Sequence, residues 1–135
     1  MKQFSGCGIS PLLLVLCALV GCGNDPGLTM TGKVTVDGSP LTQGEVTYHS
    51  TGGDTALVRT AALDAEGQYT MVAPAGNYKV TVFAEEPRSS EGADAYALPN
   101  YLVAAPFRDP DTTPLTAEVK PDAADGAYDF EVTKN

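Results

Sequence analysis

The sequence predicts an all-β domain behind a removable N-terminal segment. Three observations point there. From residue 30 onward apolar residues recur at every second position in short runs, the period of a half-buried strand. Turn-forming clusters such as Asp37-Gly38, Gly52-Gly53-Asp54, Glu66-Gly67 and Pro74-Ala75-Gly76-Asn77 separate those runs. No stretch after residue 28 carries a helical period longer than a turn or two. Seven short strands at this spacing argue for a β-sandwich, with one apolar face per strand turned to a shared core.

The runs are taken in chain order. Met30, Gly32, Val34 and Val36 alternate with Thr31, Lys33 and Thr35, and Asp37-Gly38 then reverses the chain. Pro40 to Gly44 reads as a connection. Glu45 to Ser50 forms a second run with Val46 and Tyr48 on one face, and Leu57 to Leu63 a third. After Asp64-Ala65-Glu66-Gly67 comes Gln68 to Val72, with Tyr69 and Met71 on one face. Tyr78-Lys79-Val80-Thr81-Val82-Phe83 is the densest in β-branched and aromatic residues. Residues 85–114 hold five prolines and many acids and read as irregular, with Ala93 to Leu98 the best place for a helical turn. Leu115 to Val119 and Tyr128 to Val132 close the set.

The N-terminus reads differently. Lys2 and the free amine precede an apolar stretch, Ile9 to Val20, with Leu12-Leu13-Leu14-Val15-Leu16 at its centre. That is short of the about 20 apolar residues a spanning helix needs and fits the apolar region of an export signal. It ends in Leu19-Val20-Gly21-Cys22, where the small residue before the cut suits a signal peptidase. The tetrapeptide resembles the lipobox of bacterial lipoproteins, in which the cysteine thiol receives a diacylglycerol before cleavage in front of it. The resemblance implies recognition of Leu19, Val20 and Gly21 by the peptidase and lipidation of Cys22. Cysteine usage agrees. Cys7, Cys17 and Cys22 are the only three, and the first two lie inside the segment to be removed. One thiol remains, which excludes a disulfide within the processed chain and requires an explanation in an exported protein. Two or more acyl chains give durable membrane attachment where one does not. Gly23 is not the aspartate that retains lipoproteins in some inner membranes, so the outer membrane is favoured.

The expected organisation is a signal over 1–21, a tether over 22–28 and one domain over 29–135 interrupted at about 85–112. Removing residues 1–21 from the 135 leaves 114, with 7 of the 8 basic residues against all 17 acidic ones. Such acidity speaks against nucleic acid, whose phosphates are bound by clustered Lys and Arg. It equally disfavours adsorption of the domain onto anionic lipid.

Three segments together resemble the carboxypeptidase regulatory-like domains. Thr31-Gly32-Lys33-Val34-Thr35-Val36-Asp37-Gly38-Ser39-Pro40-Leu41 is similar to the family's opening G-x-V-x-x-D-G-x-P-L. Leu63-Asp64-Ala65-Glu66-Gly67-Gln68-Tyr69 is similar to its T-D-x-x-G-x-Y turn. Pro74-Ala75-Gly76-Asn77-Tyr78-Lys79-Val80-Thr81-Val82 is similar to P-x-G-x-Y-x-V-x-V. The segments fall in order over roughly residues 29–84. The tail from Thr113 to Lys120, followed by Tyr128 to Glu131, resembles small lipoproteins of this class, many of them from planctomycetes. The resemblance implies a transthyretin-like, seven-stranded antiparallel Greek-key sandwich, with Leu102 to Arg108 as an insertion. The motif residues have structural reasons: turns at Asp-Gly and Glu-Gly, and at Tyr69 and Tyr78 a ring that buries while its hydroxyl reaches backbone or water.

Catalytic readings find little support. His49 is the sole histidine, whereas a carboxypeptidase-type zinc site needs two and a carboxylate. Hydroxyisourate hydrolases and intradiol dioxygenases, on the same or a related fold, use histidine sets this chain lacks. A Ser-His-Asp triad would need His49, which has no nucleophile motif beside it and reads as a surface residue at a strand end. Asp109, Asp111 and the Asp64-Ala65-Glu66-Gly67 acids match no defined calcium loop. Lys33, tempting for an isopeptide bond, should point outward because Val34 and Val36 point inward. No metal and no cofactor are therefore expected. The expectation is a non-catalytic binding or structural module, anchored through lipid on Cys22 in the cell envelope with the domain outside the cytoplasm. Its ligand would be an envelope protein or a glycan, the latter disfavoured by the absence of Trp. The alternative is an enzyme using carboxylates of the 85–112 stretch: Glu85, Glu86, Glu91 or Asp94.

Overall fold

A computed structural model describes residues 27–53, 56–88, 92 and 96–135. The signal, the lipobox residues Leu19, Val20, Gly21 and Cys22, and tether residues 23–26 lie outside the described residues. The described chain is all-β: β1 (Leu28–Val36), β2 (Ser39–Pro40), β3 (Glu45–Ser50), β4 (Val58–Ala62), β5 (Gln68–Ala73), β6 (Gly76–Phe83), one short helix α1 (Ala105–Arg108), β7 (Thr116–Val119) and β8 (Phe130–Val132). They form two four-stranded sheets. One has the order β2-β1-β5 with β8 also on β1, and the other has the order β4-β3-β6-β7.

Each of the seven expected runs is a strand, within a residue or two at the ends. The eighth, β2, lies in the stretch read as a connection. It exists because Asp37 (φ 49°) and Gly38 (φ 86°) both take left-handed backbone, the conformation of a two-residue type I′ hairpin turn. Val36 is thereby set opposite Ser39 and Thr35 opposite Pro40.

One expectation is corrected. The sheets are not wholly antiparallel, because β8 runs parallel to β1, with Val34 opposite Phe130 and Val36 opposite Val132. Chain direction is the cause. β7 ends beside the start of β6, where Gly76 faces Val119, and β1 also begins at that end, where Leu28 faces Ala73. Residues 120–129 turn there and cross to the other sheet, so the returning strand must travel the way β1 does.

The inward residues of both sheets merge into one core, with Val34, Val46, Val80, Val82, Val103 and Val132 at or below 1% exposure. Tyrosines organise its centre. Tyr48 lies edge-on to Tyr69 at 6.3 Å and to Phe130 at 6.4 Å, and tilts against Tyr78 at 5.7 Å. Tyr69 donates its hydroxyl to the Tyr128 carbonyl (2.6 Å), which leaves Tyr48 to donate to the Tyr69 oxygen (2.8 Å). Tyr78 donates to the Pro74 carbonyl (2.8 Å). The Tyr69 and Tyr78 hydroxyls thus reach backbone as the sequence leads one to expect, and among the described residues no buried side-chain polar atom is left without a partner. Desolvation pushes the Tyr48 hydroxyl up to about 12 and raises Tyr69 further.

Gly32 has a packing reason. A Cβ there would collide with the Tyr128 carbonyl and come within 2.7 Å of the Tyr69 ring. The position faces the core, and the space a side chain would need is filled by that ring. This is a physical account of the Gly in the Gly32-Lys33-Val34 pattern.

Candidate functional site

The 85–112 stretch, read as irregular, has a bonded base. Glu85 bridges to Tyr101, Glu86 N donates to Asn100 O (2.9 Å), and Leu102 N donates to Ala84 O (2.9 Å). Asn100 Nδ2 donates to Glu86 Oε2 (2.6 Å), and Gln43 Nε2 to Glu85 O (2.9 Å). Together these continue the β6 edge into a short neck through which the chain leaves and returns.

The returning half packs onto the protein. Val103 is fully buried, and Ala104 N donates to Thr133 O (2.9 Å). Pro106 stands in the first turn of α1, where its missing N–H is no loss. Phe83 points to the outer face of its sheet, where Tyr101 meets it edge-on at 5.6 Å. The Arg108 guanidinium lies 3.8 Å from the centre of the Tyr101 ring, close enough for a cation–π attraction. Thr113 Oγ1 donates to Val80 O (2.7 Å). Leu102 to Arg108 is therefore an integral cover over β6. Of the helical turn expected at Ala93 to Leu98, residues 93–95 lie outside those described and Tyr96 has 3₁₀ conformation, while the α-helix that is described lies further on, at Ala105–Arg108.

Above the neck the picture changes. Tyr96 is 92% and Leu98 89% exposed. Arg88 Nη1 donates to Ala97 O (3.1 Å) and Arg88 Nη2 pairs with Glu85 Oε1 (3.0 Å), tying this part to the neck. The proposed carboxylates are thereby placed: Glu85 is engaged with Arg88 and Glu86 with Asn100, while Glu91 and Asp94 lie outside the described residues.

His49 is more enclosed than a free surface residue. It lines a cleft of about 330 Å³ with Ser50, Thr51, Lys79, Pro110 and Asp111, and its Nε2 lies 3.0 Å from Thr81 Oγ1. Burial lowers its pKa, favouring the neutral ring. Ser50 Oγ donates to Gly52 O (2.8 Å), so its hydroxyl is turned into its own turn. The sequence carries a partial signal for this cleft, since His49 and Lys79 both occupy outward positions. Their pairing across β3 and β6 needs the register, which the sequence does not show.

The acids considered for calcium serve turns. Asp64 Oδ1 accepts from Glu66 N (2.9 Å) and Gln68 N (2.8 Å), and Asp109 Oδ1 accepts from Asp111 N (2.8 Å). Among the described residues no three His, Cys, Asp or Glu side chains are grouped to hold a metal ion. Lys33 lies on the outer face, beside Thr35, Asp129, Phe130 and Glu131 in a shallow cavity of about 340 Å³. Among the described residues no helix is long and apolar enough to cross a membrane.

No family model matches the chain, and no curated protein matches it. Among solved structures, a 9R-lipoxygenase from Cyanothece PCC8801 resembles it at 11% identity and a TM-score of 0.40, over 98% of this chain and 18% of the lipoxygenase chain. The chain thus spans less than a fifth of that protein's length, and a likeness of this degree carries no argument about fold family or chemistry.

Proposed function

We propose that the protein is a membrane-anchored envelope lipoprotein whose folded part is a non-catalytic binding or structural module. In this reading the two sheets are the layers of a carboxypeptidase regulatory-like, transthyretin-like Greek-key sandwich. The seven principal strands form that fold, and β2 is an extension of the Asp37-Gly38 hairpin. Lipid on Cys22 attaches the domain to a membrane, the outer one favoured, with the domain outside the cytoplasm. The three turn-and-strand segments of residues 29–84 and the lipobox at Leu19-Val20-Gly21-Cys22 support it.

The observation that carries the binding role is the contrast within one connection. Its base is bonded into the sheet edge, while Tyr96 and Leu98 stand in solvent. A loop positioned by a rigid scaffold is the usual carrier of recognition. A protein ligand fits an exposed aromatic and an exposed aliphatic side chain, since such residues anchor interfaces by filling pockets on a partner.

Pull-down from native membranes tests this, using the full chain and a variant in which residues 87–99 are replaced by a short Gly-Ser link. Partners lost with the segment support recognition there, and identical catches from both refute it. The anchor is tested separately. Cys22→Ser should lose acylation and remain uncleaved, and normal processing and release of that variant would defeat the lipoprotein reading.

A further inference from the structure

We infer that the domain is held with a fixed polarity: the end of the sheets where β1 begins faces the bilayer, and the connection carrying Tyr96 and Leu98 leaves from the far end. The inference rests on the anchoring at Cys22 proposed above.

Strand register defines the two ends. Leu28, the first residue of β1, faces Ala73, the last of β5. Only Pro74 and Ala75 separate Ala73 from Gly76, the first residue of β6, and Gly76 faces Val119, the last of β7. The chain therefore enters from Cys22 at the end that holds the Pro74-Ala75 turn. At the other end Phe83 closes β6 opposite Glu45. Glu85 and Tyr101 form the neck just beyond it.

Lengths decide whether the entry point constrains the rest. The eight residues of β6 span about 23 Å at ~3.3 Å per step. Six residue steps join Cys22 to Leu28, which reach at most about 22 Å. Even drawn taut, this length only just allows Phe83 to be turned back level with the lipid surface. Any shorter path excludes the inverted pose, in which the neck meets the bilayer and the entry end points away. Charge acts in the same direction. With residues 1–21 removed, 7 basic residues against 17 acidic ones give a formal net charge of −10, which repels the body from anionic headgroups within a Debye length of about 8 Å and opposes lying flat. Tyr96 and Leu98 are then offered to the aqueous space, and their exposure is not that of a lipid-dipping tip.

The chain contains no Trp, so one introduced Trp is a clean reporter. Ala75→Trp and Leu98→Trp would be made in the acylated full-length protein and reconstituted into phosphatidylcholine vesicles carrying a dansyl headgroup acceptor. Energy transfer should be several-fold more efficient from position 75 than from position 98. Equal or reversed efficiencies with the protein bound to vesicles would overturn the polarity and leave the anchor standing. Failure of the acylated preparation to bind vesicles at all would overturn the anchor and the polarity with it. Replacing Tyr48→Trp as well gives a reporter inside the core, and transfer intermediate between the other two is expected.

Discussion

Tyr69 and Tyr96 are the same residue type in opposite circumstances. Tyr69 is 2% exposed, donates to the Tyr128 carbonyl and fills the space left by Gly32; Tyr96 is 92% exposed. The first belongs to a region in which each side chain is fixed by several others. The second belongs to a segment tied at its base and exposed above it. The difference separates the scaffold, whose residues answer to packing, from a surface whose residues are free to answer to a partner. Substitutions in the two regions should therefore have effects of different size and on different observables.

The largest expected effects fall on the scaffold. Tyr69→Ala removes a central ring, and a cavity of that kind costs about 3–5 kcal/mol; urea unfolding should show it, with Tyr96→Ala within about 0.5 kcal/mol of the parent. Gly32→Ala should cost about 1–3 kcal/mol through overpacking against Tyr69 and the Tyr128 carbonyl, read in the same experiment. Equal losses at positions 69 and 96 would erase the distinction between the regions. Tyr69→Phe keeps the ring and removes the hydroxyl that links Tyr48 to the Tyr128 carbonyl. A loss of about 1–3 kcal/mol is expected for leaving those groups unpaired.

Two pH effects sharpen the comparison. The folded-state pKa values of Tyr48 and Tyr69 lie above the ordinary 10.0, mainly through desolvation. Their contribution to stability is fully present below pH 10 and is lost as pH rises from there through about 12. A phenolate absorbance titration should show Tyr48 and Tyr69 ionising only as the protein unfolds. His49 has the opposite sign of shift, below its ordinary 6.5. The unfolded chain binds its proton first, so stability should fall slightly as pH drops below 6.5 towards the folded-state pKa. Being partly exposed, it should give the smallest effect of the series, and His49→Asn should flatten that slope.

The same division explains what could be read from the chain alone. Alternation at Met30 to Val36, Val46 to Tyr48 and Tyr69 to Met71 marks the strands and their inward faces, because burial of one face imposes a period of two. The turn residues mark the reversals. The roles of Tyr69 and Tyr78 are legible for the same reason, since each follows a turn into the core. The direction of β8 is not legible, because it depends on which end β7 reaches and on the unfilled edge of β1. Nor are the Phe83–Tyr101–Arg108 stack and the His49–Lys79 cleft, which join residues whose neighbourhood depends on register and on the path of residues 98–113. Acids that look alike in sequence, Glu85, Glu86, Asp64 and Asp109, are separated only by their partners: Arg88, Asn100 and two turn backbones.

Site-specific photo-crosslinking in intact cells tests the assignment of recognition to the exposed segment most directly. A crosslinking residue at Leu98 is compared with one at Val72, an exposed apolar position on a sheet face (48% exposed). A discrete crosslinked protein from position 98 and none from position 72 is the predicted result. No product from position 98, or the same products from both positions, would contradict it.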